Sequence, residues 1–308
     1  MIGKVYKSTG SWYLVRDDGG SLWNARLRGS YKIDGLTSSN PLAVGDMVEM
    51  DIEDDNQQTA IITEIHDRKN YIIRQSPGHK SQHNIIAANI DQSLLIATLK
   101  EPKTSQGFID RFLVTSEAYH IPSIIILNKS DLYRQKEMEK YEAWKEMYAG
   151  IGYRMIQISV MKQEGLDEVI ELLDGRTSVL SGHSGVGKSS FINAILPSRQ
   201  LKTQDVSEWS GKGLHTTTFA EIHDLPGRGQ IIDTPGIREF GLVDIPKREL
   251  AHYFPEMRER LNDCQFNDCL HTTEPGCAIK KAVNEGEIYE DRYASYCRIL
   301  DSIDEKEY

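Results

Sequence analysis

The sequence predicts a multidomain α/β protein: a small N-terminal β barrel, a central domain with a mainly parallel sheet, and a helical, cysteine-bearing C-terminal segment. Three observations predict this. Short alternating apolar runs separated by turn residues fill residues 1–70. Buried-strand runs then alternate with helical patterns over residues 71–245. All four cysteines lie in residues 264–297, and three of them sit close to His271.

The barrel is read from its strands. Ser11-Trp12-Tyr13-Leu14-Val15 and Ser21-Leu22-Trp23-Asn24-Ala25 flank the turn Asp17-Asp18-Gly19-Gly20. Val44-Gly45-Asp46-Met47-Val48-Glu49-Met50 reads as a turn into a further strand, and Ala60-Ile61-Ile62-Thr63-Glu64-Ile65 as the next. So many short strands in so little chain suggest a small barrel. The OB-fold is one candidate and any other scaffold barrel the alternative.

In the central region Leu94-Leu95-Ile96-Ala97, Ser123-Ile124-Ile125-Ile126-Leu127, Met155-Ile156-Gln157-Ile158 and Ser178-Val179-Leu180 read as buried strands. Helical patterns over residues 107–119, 133–149 and 166–173 separate them. This alternation predicts a parallel sheet with helices on both faces. Residues 219–225 and 229–233 read as a hairpin, and the polar segment 200–215 as a mobile loop.

Composition sets bounds. The chain has 308 residues, enough for two or three cores. Its hydrophobic share of 39% and charged share of 27% are those of a globular protein. No apolar run is long enough to cross a membrane. Met1-Ile2-Gly3-Lys4 does not begin a secretory signal, so a cytoplasmic location is expected. A formal net charge of -10 argues against a broadly basic nucleic-acid binder and leaves room only for a local patch.

Gly182-His183-Ser184-Gly185-Val186-Gly187-Lys188-Ser189 fits G-x-x-x-x-G-K-[ST] in full, between a strand and the apolar helical run 190–196. The glycines let backbone N–H groups turn inward around phosphates, and the helix N-terminus adds a favourable dipole. Lys188 would reach the β- and γ-phosphates, and the Ser189 hydroxyl would ligate Mg²⁺.

Asn128-Lys129-Ser130-Asp131 ends an apolar strand and selects the base. Asp131 can accept hydrogen bonds from guanine N1–H and the exocyclic N2 amine, whereas adenine would leave it unpaired. Asn128 can contact the O6/N7 side, and the Lys129 stem can pack along the ring. Ser159, just beyond its strand, could complete the pocket. GTP is therefore the expected ligand, and an ATPase or kinase is disfavoured.

Asp233-Thr234-Pro235-Gly236 follows the next strand. This D-x-x-G pattern lets Asp233 approach Mg²⁺ and the Gly236 N–H sense the γ-phosphate. In His215-Thr216-Thr217-Thr218 one threonine would ligate Mg²⁺; Thr217 is favoured, with Thr216 its competitor. Many GTPases place a water-orienting glutamine after D-x-x-G, but here Ile237 stands in that place. Slow turnover by the chain alone is expected, with a partner or another residue completing the site. His215 is a candidate for that residue. The base motif precedes the phosphate loop, the reverse of the usual order, so the GTPase domain is circularly permuted.

Cys264-x₄-Cys269-x-His271-x₅-Cys277 supplies three thiolates and an imidazole, a set suited to one structural tetrahedral Zn²⁺. Cys297 stands apart as a packed or partly exposed thiol.

These motifs in this order resemble the RsgA (YjeQ) family of circularly permuted GTPases, over nearly the whole chain. The resemblance rests on N-K-S-D, G-H-S-G-V-G-K-S-S through Ser190, H-T-T-T, D-T-P-G-I-R-E-F-G and C-x₄-C-x-H-x₅-C. It implies an N-terminal OB-fold over 1–70, a permuted GTPase domain over 71–245 and a C-terminal α-helical zinc-binding domain over 246–308. It further implies a monomer that binds the small ribosomal subunit and ribosomal RNA, assists late subunit maturation, and hydrolyses GTP to GDP faster on the subunit. Nucleotide contacts are expected from Asn128 to Asp131, Ser159 and Gly182 to Ser190; catalytic roles from Lys188, Thr217, Asp233, Gly236 and His215. Some relatives carry a histidine shortly after D-x-P-G, and this chain has Gly241-Leu242-Val243-Asp244 there, so that role does not carry over. The alternative is an RNA-binding assembly factor that uses GTP only to hold its shape. The short connection from Asp233 through Gly241 to the cysteines suggests that the γ-phosphate state repositions the C-terminal domain.

Overall fold

The computed structural model describes residues 1–9, 11–28, 41–76, 79–196, 220–227, 229–233 and 245–303. Strands β1 (Ile2–Ser8), β2 (Tyr13–Asp17), β3 (Leu22–Leu27), β4 (Met47–Asp54) and β5 (Thr59–Ile65) form the N-terminal barrel. Their order is β1-β2-β3-β5-β4, and antiparallel pairing of β1 with β4 closes it. The β3–β5 contact is parallel. Closed five-stranded pairing of this kind is the OB-fold arrangement. Alternation along each strand sends Val5, Tyr13, Val15, Trp23, Ala25, Val48, Met50, Ala60 and Ile62 inward to one core.

β6 (Tyr71–Ser76) and β7 (His79–Ala88) then form a separate antiparallel pair. Ala88 N–H donates to Val44 O at 2.8 Å, which holds this pair against the barrel. The sequence signal for it is weak, since polar residues and a Gly interrupt its apolar positions.

The central sheet follows with β8 (Gln92–Ala97), β9 (Ser123–Leu127), β10 (Arg154–Gln157), β11 (Thr177–Ser181), β12 (Glu221–Asp224) and β13 (Gln230–Asp233). Its order is β10-β9-β8-β11-β13-β12, with every pair parallel except β12–β13. β8, β9 and β11 are buried at every position, as strands covered on both faces must be. Alternate residues feed two cores. Leu95, Ala97, Ile125, Leu127, Val179 and Ile232 meet α1 (Gln106–Ala118) and α2 (Gln135–Gly150). Leu94, Ile96, Ile124, Ile126, Leu180 and Ile231 meet α3 (Leu166–Leu173) and α4 (Lys188–Ile195) on the other face.

Barrel and central domain share hydrogen bonds. β1 pairs with β12 at Lys7↔Glu221, so among the described residues eleven strands make one sheet. Side chains reinforce the join: Tyr6 OH donates to Asp224 Oδ1 at 2.8 Å and Lys4 Nζ to Gln230 Oε1 at 2.8 Å.

The C-terminal segment contains α5 (Pro255–Arg258), α6 (Ala278–Asn284) and α7 (Glu290–Asp301) with short 3₁₀ turns. Its core of Leu250, Phe254, Met257, Ile279, Ala282, Tyr296 and Ile299 also takes in Val114 of α1. Beside it lies a fully buried charge network. The Arg292 guanidinium donates to Glu256 Oε1 at 2.7 Å and Oε2 at 3.3 Å, and to Asp110 Oδ1 at 2.6 Å. Tyr148 OH donates to the same Asp110 oxygen at 2.7 Å. Four helices of two regions thus meet at one cation. Removing it would strand two carboxylates inside the protein. Arg292→Ala is expected to destabilise the chain by about 3–5 kcal/mol, read as a lowered urea midpoint for α1 and α7 together.

Candidate functional site

In a parallel sheet, the loops that leave the carboxyl ends of neighbouring strands face one another along a single edge. The loops after β8, β9, β10 and β11 leave the sheet in this way, and Asp233 ends β13 at the same edge. Those after β9, β10 and β11 carry predicted site residues.

The loop after β11 is Gly182 to Gly187, and α4 begins at Lys188. Gly182 has φ 145° and Gly187 φ 97°. A Cβ at Gly182 would lie 2.2 Å from Ile96 O, and one at Gly187 would lie 2.4 Å from Asn128 Nδ2. Only glycine lets this backbone pass so close to β8 and to the base-reading loop. Val186 is buried and pins the loop from below, while Ser184 and Gly185 are exposed at its mouth. The Lys188 ammonium lies across the loop, donating to Gly182 O and His183 O at 2.6 Å each. Ser189 and Ser190 sit half-buried in the first turn of α4, whose N–H groups have no intrahelical acceptor. The arrangement can cradle an anion.

Asn128, at the end of β9, is 2% exposed and ties three loops together. Its Nδ2 donates to Val186 O at 2.9 Å, and its Oδ1 accepts from Val160 N–H at 3.2 Å. Lys129 adopts a left-handed conformation with φ 63°, which throws its stem outward so that its ammonium reaches Glu101 O. Ser130 opens the 3₁₀ turn Ser130–Leu132. Asp131 Oδ1 accepts from Ser159 Oγ at 2.6 Å, and Lys162 N–H donates to the same hydroxyl at 3.2 Å. Ser159 therefore orients the carboxylate by its side chain.

Sequence reasoning passed over Tyr133. Its hydroxyl donates to Asn128 O at 2.7 Å and accepts from Leu99 N–H at 3.0 Å. Burial, opposed by the Leu99 bond and aided by the Asp131 charge, pushes this phenol up to about 12, so it stays protonated and keeps both bonds. A lone tyrosine after N-K-x-D carries no signal of its own; the contact arises only when β8 and β9 lie side by side.

Asp233 ends β13, one step beyond the Val179↔Ile232 pairing, level with Leu180 near the end of the strand that leads into the phosphate loop. Carboxylate and Ser189 hydroxyl are the hard oxygen donors that a Mg²⁺ ion takes. His215, Thr216, Thr217, Gly236, Ile237, Asp244 and the segment 200–215 lie outside the described residues.

Far along the chain, Cys264, Cys269, His271 and Cys277 bring their ligand atoms within 4.8 Å of one another. His271 Nδ1 is 3.6 Å from Cys264 Sγ and 3.5 Å from Cys277 Sγ. Such spacings are those of ligands sharing one small tetrahedral ion on bonds of roughly 2.0–2.3 Å. Glu274 holds the loop by accepting from the N–H groups of Leu270, Thr272 and Thr273 at 2.8, 2.9 and 3.0 Å. Tyr293 OH and Tyr296 OH donate to His271 O and Leu270 O at 2.6 and 2.9 Å. Burial keeps His271 below the usual imidazole range, so its ring is neutral and has a lone pair to offer. Burial, and then the Cys277 and Cys264 thiols, push Cys269 up to about 12. A cation among the sulfurs reverses that balance by favouring thiolates. The donor set fits a metal.

Comparison with known proteins gives consistent matches. The family model described as RsgA GTPase matches residues 65–243, and that of the RsgA N-terminal domain matches residues 2–62. A small ribosomal subunit biogenesis GTPase RsgA of Cytophaga hutchinsonii is 52% identical over 97% of this chain and 98% of that protein. One from Bacteroides fragilis is 46% identical over 100% of this chain and 99% of its own length. Among solved structures, YjeQ from Thermotoga maritima superposes with a TM-score of 0.80 at 33% identity, covering 98% of this chain and 97% of that one. YloQ, described as a circularly permuted GTPase, superposes with a TM-score of 0.78 at 32% identity, covering 100% and 96%.

Two outcomes are expected. Asp131→Asn weakens binding of fluorescent GTP by about a hundredfold or more, because a carboxamide cannot accept both guanine donors. Cys277→Ser lowers metal content, read by elemental analysis, from about one ion per chain towards none, and speeds amide exchange across residues 264–277.

Proposed function

The chain belongs to the RsgA GTPase family and is a GTP-hydrolysing enzyme, and on that premise we propose that it serves late maturation of the small ribosomal subunit. In this reading it binds the subunit and its ribosomal RNA in the GTP form, as a cytoplasmic monomer, and leaves after hydrolysis. The observation that carries the nucleotide reading is the Asn128 side chain, which joins the guanine-reading loop to the phosphate loop at 2.9 Å.

The roles follow from the chemistry of each group. Asp131, held by Ser159, accepts from guanine N1–H and the N2 amine. Asn128, Lys129 and Ser130 frame the base. The N–H groups of residues 182–190 receive the phosphates, and Lys188 neutralises charge growing on the β–γ bridge and terminal oxygens. Ser189, Thr217 and Asp233 would hold Mg²⁺, which supplies charge stabilisation at the phosphates when bound. The Gly236 N–H senses the terminal phosphate. Among the chain's own groups His215 is the candidate for orienting the attacking water. The cluster Cys264, Cys269, His271 and Cys277 takes one structural Zn²⁺, since three thiolates and an imidazole leave no open position for substrate.

Ile237 favours weighing a second reading. An apolar side chain stands where a water-orienting group is usual, as expected also of an RNA-binding assembly factor that keeps GTP as a conformational ligand. Phosphate release with purified small subunits added or withheld separates the two. Stimulation of about tenfold or more is expected; an equal rate in both arms favours the second reading.

A further inference from the structure

The phosphate loop has a second support besides Asn128, and it leads into the C-terminal segment. The His183 ring lies on the Phe108 ring with centroids 3.6 Å apart and planes 29° apart. Phe108 is in the first turn of α1, which Ser105 caps by accepting from Phe108 N–H at 3.3 Å. The connection between β8 and α1 also flanks the site: Pro102 lies beside Gly185, and Glu101 O takes the Lys129 ammonium. Lys188 rests partly on His183 O at 2.6 Å. Whatever places His183 therefore helps to place the ammonium that meets the phosphates.

α1 is itself anchored at a distance. Two residues beyond Phe108, Asp110 is fully buried and bonded to Arg292 of α7 at 2.6 Å. Arg292 in turn holds Glu256 of α5. Nearer the far end of the helix, Glu117 pairs with Arg258 at 3.2 Å, and Arg111 donates to Ser302 at 2.7 Å. α1 has 13 residues, about 20 Å of rigid rod, with the phosphate loop at its start and the C-terminal segment along its side. A buried carboxylate shared between an arginine and a tyrosine tolerates little displacement.

We propose that Phe108 is a positioning residue for the phosphate loop, acting through His183 on Lys188, and that the Asp110–Arg292–Glu256 network makes the C-terminal segment its footing. This rests on the GTPase reading above. It gives the segment bearing the metal-ligand cluster a physical route to the nucleotide that passes through packed side chains. Lys188 meets both the β- and γ-phosphates, so a displaced loop costs the triphosphate more than the diphosphate. A merely structural role for the stack would lower stability and weaken both nucleotides alike.

The test uses the full chain. Dissociation constants for fluorescent GDP and a non-hydrolysable GTP analogue are measured for wild type, Phe108→Leu, Phe108→Tyr and Asp110→Asn, with thermal midpoints. Phe108→Leu is expected to weaken the analogue relative to GDP by about threefold or more, the size of a lost aromatic pair; Phe108→Tyr restores the ratio. Asp110→Asn is expected to shift the ratio in the same direction. A Phe108→Leu ratio within about 1.5-fold of wild type, or an equal loss of both nucleotides, overturns the positioning role. An unmoved ratio in Asp110→Asn overturns the footing. If Phe108→Leu does not fold, His183→Ala removes the same stack from the loop side, and the same threshold decides. Wild type that binds neither nucleotide sinks the guanine-nucleotide reading together with this one; normal binding with unmoved ratios sinks this one alone.

Discussion

A single buried carboxamide sets the geometry on which the nucleotide site depends. Asn128 uses its donor on the phosphate loop and its acceptor on the loop after β10. Neither bond can be replaced by water, because the side chain is almost wholly enclosed. An unmade bond there would cost about 1–3 kcal/mol and would also leave three loops free to drift apart. The positive-φ glycine beneath it belongs to the same constraint, since Gly187 is the residue that lets the carboxamide approach.

The parallel sheet makes that constraint possible. β8, β9, β10, β11 and β13 all point the same way, so base reader, phosphate loop and Asp233 emerge at one edge although they lie far apart in the chain. This is why permutation is tolerated. The site needs each loop on its own strand, and it does not need the strands in a given order along the chain. What the order changes is which segments adjoin. Here the barrel extends the sheet through β12, and the chain runs on from β13 to the cluster of Cys264, Cys269, His271 and Cys277.

The C-terminal segment is held by a different kind of force. Its apolar core borrows Val114 from α1, and the buried Arg292 network adds charge-assisted bonds to Asp110 and Glu256. Such a network is a poor source of net stability compared with an apolar cluster, but it strongly penalises a misplaced helix. It therefore fits a role in fixing α1 relative to α5 and α7.

Contiguous patterns were legible from the residues alone. The phosphate loop, the N-K-S-D segment, the D-x-x-G pattern and the cysteine spacing each lie within a short window, where chemical requirements dictate residue type. The apolar runs at 94–97, 123–127 and 178–180 were legible for the same reason: a strand covered on both faces must be apolar throughout. Tertiary structure decided the contacts between distant windows. Asn128 and Val186 are 58 residues apart, and Asp110 and Arg292 are 182 apart. No local pattern marks an aspartate as a salt-bridge partner, a tyrosine as a loop clamp or a phenylalanine as a ring for a histidine. The β6–β7 pair escaped notice because its apolar positions are broken by polar residues, and its support comes from residue 44, across the turn from the barrel. The sequence by itself determined which residue types stand at these loops, and with them the ligand proposed for the site. Folding decided what holds those loops still, because that depends on which buried groups find partners once the strands lie side by side.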